Sequence, residues 1–189
     1  MPCFRSLRFS ISGDTIEPMI DRVLIDTLNL QSRDFAVRWK DSVRKNSQLK
    51  QYNNMDDEAL IKEDAPFYPL LGRVLDRGLD RSLVGDFFVK MGKNKVQNGL
   101  PISEVIFALN LNQRVVIEYL MTEFAPENPM RMYQSMGVLT NVAEFCLLGS
   151  FYIAKGFLEE TYTHMTHHDK VSEELLKKYF KDDFFFKKE

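Results

Sequence analysis

At 189 residues, 44% hydrophobic and 28% charged, the chain has the composition of a globular protein, long enough for one core and short for two independent domains. A net charge of -2 provides no general attraction for a polyanion, which sets nucleic acid aside as a partner. Cys3, in a tail, and Cys146, in an apolar run, read as free thiols of a reducing compartment. Residues 1–13 contain Arg5 and Arg8 and lack the apolar stretch of a secretory signal; no later segment reads as the uncharged run of roughly 20 residues that spans a membrane. The expected location is the cytoplasm.

Residues 1–14 read as an N-terminal tail, 15–168 as a helical domain and 169–189 as a C-terminal helix and tail. From Thr15 to about Asn46, Ile20, Leu24, Leu28, Phe35, Trp39 and Val43 recur at helical spacing and predict one long first helix. Asn53 and Asn54 break the pattern, and Asp56 and Asp57 suit the N-terminus of a short helix beginning near Met55. A helix restarts around Pro66 and stops near Gly78; the next begins by Ser82 and stops at Asn98-Gly99. Pro101 and Ser103 open a well-patterned helix ending before Pro126. Asn128-Pro129 then launches the longest apolar stretch, from Met130 to about His164, and Ser172 caps a short terminal helix. The sum is an all-α, globin-like bundle of about six helices.

Residues with possible chemistry are few. His164, His167 and His168 are the only histidines and fall within one helical turn, where two of them with Glu160 or Asp169 could share a metal. One turn presents its ligands on a single surface and seldom closes a tetrahedron, so an exposed helix end is the simpler reading. No histidine precedes His164, which argues against haem. Gly92-Lys93-Asn94 resembles a phosphate loop only in part, because Phe87 stands where the first glycine belongs and Asn94 where Ser or Thr should bind magnesium. There is no Gly-x-Ser-x-Gly and no second Glu/His pair of a di-metal bundle. The expectation is a non-enzyme without cofactors.

Two apolar sets are candidates for binding. The aromatic residues Phe35, Trp39, Phe87, Phe88 and Phe107 are candidate lining for a small apolar ligand, against the plainer reading as core. On the last long helix, Thr140, Ala143, Leu147, Ser150, Ala154 and Phe157 form a candidate dimer face whose small residues permit close helix approach. The three phenylalanines 184–186 would be a sticky patch in water and suggest packing on the bundle or on a partner.

The segment from Phe88 to Val105, with its Gly99-Leu100-Pro101 turn between helices, resembles the RsbRD-like N-terminal sensor domains of bacterial signalling proteins. Trp39 and Val43 followed by Met55-Asp56-Asp57-Glu58-Ala59-Leu60 resemble that family's tryptophan-bearing helix and acidic helix start. The resemblance covers roughly residues 20–165. It implies a haem-free globin-like fold, pairing as a homodimer, and a signal passed to an output domain; the residues after the long helix are too few to form one, so the signal is expected to pass to a separate signalling protein, or through a linker to an output domain outside the given sequence. The expected function is a sensory or regulatory module acting by dimerisation and ligand or partner binding. The alternatives are a metal-binding helical protein built on the histidine turn and a structural adaptor that recognises a helix.

Overall fold

A computed structural model describes residues 19–123 and 129–166, with side chains placed for 22–122 and 136–166. The protein is all-α. Among the described residues eight helices follow in order: α1 (Met19–Leu30), α2 (Ser32–Arg44), α3 (Lys50–Asn53), α4 (Asp57–Asp64), α5 (Phe67–Arg77), α6 (Arg81–Gln97), α7 (Ile102–Glu123) and α8 (Pro129–Thr166). The expected terminal helix from Ser172 and the phenylalanines 184–186 lie outside the described residues.

The long first helix of the sequence reading is in fact two. The backbone leaves helical geometry at Gln31 (φ -114°, ψ 27°), and the two halves go to different partners, α1 to α5 and α2 to α4 and α7. Leu28 and Phe35 are seven residues apart and both buried, so the apolar spacing runs unbroken across the bend and conceals it. The short helix α3 is a further element that the sequence did not announce.

The other boundaries follow local chemistry. Asp56 caps α4 by accepting from the Ala59 N–H at 3.1 Å, and Asp80 caps α6 by accepting from the N–H groups of Ser82 and Leu83. Gly78 (φ +85°) and Gly99 (φ +68°) end α5 and α6 in the left-handed region that a side chain disfavours. Between α2 and α4 the Arg44 guanidinium donates to the carbonyls of Tyr52, Asn53 and Met55 and pairs with Asp57. It thereby satisfies the carbonyls that end α3 and fixes where α4 starts.

The centre of the bundle is the pair α6 and α8. A Cβ on Gly92 would collide with the Ile153 carbonyl, one on Gly156 with the Val89 carbonyl, and one on Gly149 with the Phe88 ring. These glycines let the two backbones approach closely. Lys93 reaches across to Glu159 at 2.8 Å and Gln97 donates to Glu160. Phe67, Phe88 and Phe145 pack their rings in the middle.

By length and composition alone Met136–Thr166 is apolar enough to cross a membrane, contrary to the reading of the sequence. The single charge of its apolar part, Glu144, does not interrupt it. Only 33% of its most apolar window is buried within the bundle, because one flank is spent on α6 and another stays outside. Met136, Leu147, Phe151 and Leu158 are exposed along that outer flank, Leu147 by 72% and Phe151 by 58%.

Candidate functional site

Among the described residues, the five aromatic residues expected to line a pocket fall in different settings. Phe35 packs against Tyr68 and Tyr119, Trp39 against Tyr52 with its Nε1–H donated to the Ala108 carbonyl at 2.8 Å, and Phe88 in the central ring cluster. Phe107 is half-buried at the edge of the core. Phe87 alone borders an open groove.

Of the candidate dimer face, Leu147 and Thr140 are exposed, the Thr140 hydroxyl being turned back onto the Met136 carbonyl, while Ala143, Ser150, Ala154 and Phe157 are half-buried. The neighbouring Gly149 and Gly156 face α6. The exposed stripe is therefore rotated from the expected one and runs through Met136, Thr140, Glu144, Leu147, Phe151 and Leu158.

His164 is exposed with its Nε2 3.3 Å from Glu160; His167 and His168 lie outside the described residues. Among the described residues no group of three His, Cys, Asp or Glu side chains is gathered as a metal would require. Cys146 is buried, which pushes its thiol up to about 12 and leaves it protonated.

The unusual chemistry is elsewhere, where α4, α6 and α7 meet. Asp64, the last residue of α4, is 6% exposed; Lys95 on α6 is 3% exposed; Asn112 on α7 is as deeply buried. The Tyr68 hydroxyl donates to Asn112 Oδ1 at 2.6 Å, and Asn112 Nδ2 donates to Asp64 Oδ1 at 2.7 Å. This relay satisfies one carboxylate oxygen and leaves Asp64 Oδ2 without a hydrogen-bond partner. Lys95 Nζ is ion-paired with Glu63 and lies over the Tyr52 ring, 4.7 Å from its centroid. Apart from that ion pair no acceptor among the described residues reaches Nζ.

Two spaces adjoin the cluster. A small internal cavity of about 20 Å³ is bounded by Trp39, Tyr52, Asp64, Phe67, Lys95 and Asn112, among others, enough for a single water-sized group. Outside it lies an open groove of about 310 Å³ lined by Glu63, Phe87, Lys90, Met91, Asn94, Lys95 and Asn98. Glu63, Met91 and Lys95 border both, so the ion pair and the methionine form the wall between groove and interior.

Burial governs the charges. It raises the Asp64 carboxyl from 3.8 to about 7, the Asn112 hydrogen bond pulling weakly the other way. The carbonyl end of α4 adds its negative potential there. Burial likewise lowers the Lys95 ammonium from 10.5 to about 8, and raises the Tyr52 hydroxyl, next to Asp64, beyond the usual phenol range. Near neutral pH the site can hold or release a proton at Asp64, and it keeps a scarcely solvated cation beside an open groove.

The site left a trace in the sequence that apolar pattern-reading passes over. Lys95 follows Val84, Phe88 and Gly92 on one stripe of α6, and Asn112 stands among Val105, Ala108, Leu109 and Val116 on α7, so each is a polar residue in an apolar register. Glu63 and Asp64 end a helix, the terminus at which acids are least favoured.

Compared with protein-family models, with curated proteins and with solved structures, the chain matches none.

Proposed function

We infer that the protein is a non-catalytic sensory or regulatory module that works by association, two copies pairing through the outer flank of α8. The observation that carries this is the exposed row Met136, Leu147, Phe151 and Leu158 on the helix whose opposite flank is sealed against α6. From Met136 to Leu158 the row is about 33 Å long, and contiguous apolar surface of this kind marks an interaction face.

The residue order favours an antiparallel two-fold arrangement. A parallel pairing would stack Glu144 on its own copy. With the axis between Leu147 and Phe151, Leu147 meets Phe151 of the second copy, Thr140 meets Leu158, and Glu144 comes opposite the half-buried Ala154 at the edge of the stripe rather than its own copy. The resemblance to RsbRD-like sensor domains points the same way, towards a haem-free dimer that passes its state to a separate signalling protein.

Sedimentation equilibrium tests the pairing. The wild type is expected to be dimeric at tens of micromolar and Leu147→Asp monomeric, with unchanged helical circular dichroism. A monomeric wild type that instead floats with neutral phosphatidylcholine vesicles, and loses this with Leu147→Asp, would assign the flank to a membrane surface and overturn the dimer.

A further inference from the structure

The groove beside Lys95 has the chemistry of a ligand site. Its polar lining is rich in donors: Lys90, Asn94 and Asn98 stand along one side of α6, and Lys95 closes the inner end. Glu63 is the only acidic side chain among the described residues of the lining, and it is already engaged with Lys95. A Lys95 ammonium has three N–H donors, and beyond Glu63 none of them meets an acceptor among the described residues, although Lys95 is only 3% exposed and borders the groove. A ligand oxygen at this point would relieve the desolvation of that cation.

The apolar part of the lining is short. Phe87 and Met91 are one turn apart on α6, about 6 Å along the axis, with donors along one side and Lys95 at the end. That length accommodates one flat ring against a phenyl edge and a thioether, contacts that both favour an aromatic partner. A long acyl chain would run onto Asn94, Asn98 or Lys90. The volume, about 310 Å³, is at the lower end of small-molecule sites.

We propose that this groove binds a small aromatic carboxylate, its carboxylate on Lys95 and the neighbouring asparagine amides and its ring on Phe87 and Met91. The incoming carboxylate competes with Glu63 for Lys95. Lys95 is one turn from Gly92, where α6 touches the α8 backbone, so a ligand that shifts α6 is felt at Ile153 and Phe157. This deepens the sensory reading and rests on it only for the consequence at α8.

Titration calorimetry with benzoate tests the site, with benzyl alcohol as the same ring lacking the carboxylate. Benzoate is expected to bind the wild type, and benzyl alcohol at least about tenfold more weakly, the loss of one charge-assisted contact. Lys95→Met, and Asn94→Glu at an exposed position that places a repelling charge in the groove, should each weaken benzoate by a similar factor. The proposal is overturned if no benzoate binds, if benzyl alcohol binds as well as benzoate, or if both variants bind like the wild type. Should Lys95→Met fail to fold by circular dichroism, Asn94→Glu decides alone. The same titration on Leu147→Asp separates the two readings, because the groove is remote from that side chain and must still bind if only the pairing of α8 is wrong.

Discussion

Two adjoining flanks of the buried face of α6 solve opposite problems. Towards α8 the helix carries Gly85, Phe88, Val89 and Gly92 and is packed until backbone meets backbone; towards α4 and α7 it carries Met91 and Lys95 and leaves a cavity, an orphaned carboxylate oxygen and an open groove. A protein interior is close-packed wherever apolar shape alone decides. The departure on one side of a single helix therefore separates a surface that holds the fold together from one that forgoes stability, which is where function is sought.

The sharpest way to break the comparison is to overfill the sealed side. Gly92→Val drives a branched side chain into the Ile153 carbonyl and should cost roughly 4 kcal/mol or more, read as a collapse of the urea midpoint. Adding volume on the other side, where space exists, should be tolerated far better.

The buried acid is expected to follow in size. In the folded protein Asp64 stays protonated to about pH 7, whereas unfolded it ionises near 4, so the folded state holds the extra proton between those values. Stability should fall as pH rises through that window, by on the order of 4 kcal/mol, and level off above pH 7. Asp64→Asn keeps an acceptor for Asn112 and should flatten the slope, raising stability at pH 8. Urea unfolding at pH 5, 6, 7 and 8 reads both; equal slopes in wild type and variant would remove Asp64 as the cause.

Lys95 sharpens the same side with a shift of opposite sense. Folded, it loses its proton near pH 8 and unfolded near 10.5, so the unfolded chain binds more protons in between and stability should rise across that window. The rise should be smaller than the Asp64 effect and absent in Lys95→Met. The smallest effect belongs to the outer flank of α8. Leu147→Asp removes a side chain that supports nothing inside the bundle and should change monomer stability by less than about 0.5 kcal/mol, while the proposed pairing is expected to be lost.

Sequence alone determined the helical class and most of the punctuation. Asp56 and Asp80 are caps because their short carboxylates reach N–H groups that no helix can satisfy itself, and Gly78 and Gly99 are stops because the left-handed region penalises a Cβ. These are interactions among neighbours in the chain, and a sequence carries them in full. The bend at Gln31 was invisible because the apolar register continues through it, and only the separate packing of α1 on α5 and of α2 on α4 and α7 requires the break.

The tertiary structure decided which side of each helix meets what. Gly149 and Gly156 flank the small-residue stripe of Thr140, Ala143, Ser150 and Ala154, which core packing or a second copy could claim; the collisions a Cβ would meet set these glycines against α6, and Leu147 and Phe151 are turned outward. Glu63, Asp64, Lys95 and Asn112 are spread over some fifty residues and look like ordinary helix surface one at a time. Their shared burial, and with it the raised carboxyl and the lowered ammonium, exists only because α4, α6 and α7 converge. Charge states of this kind are a property of surroundings, and those surroundings are made by residues distant in the chain.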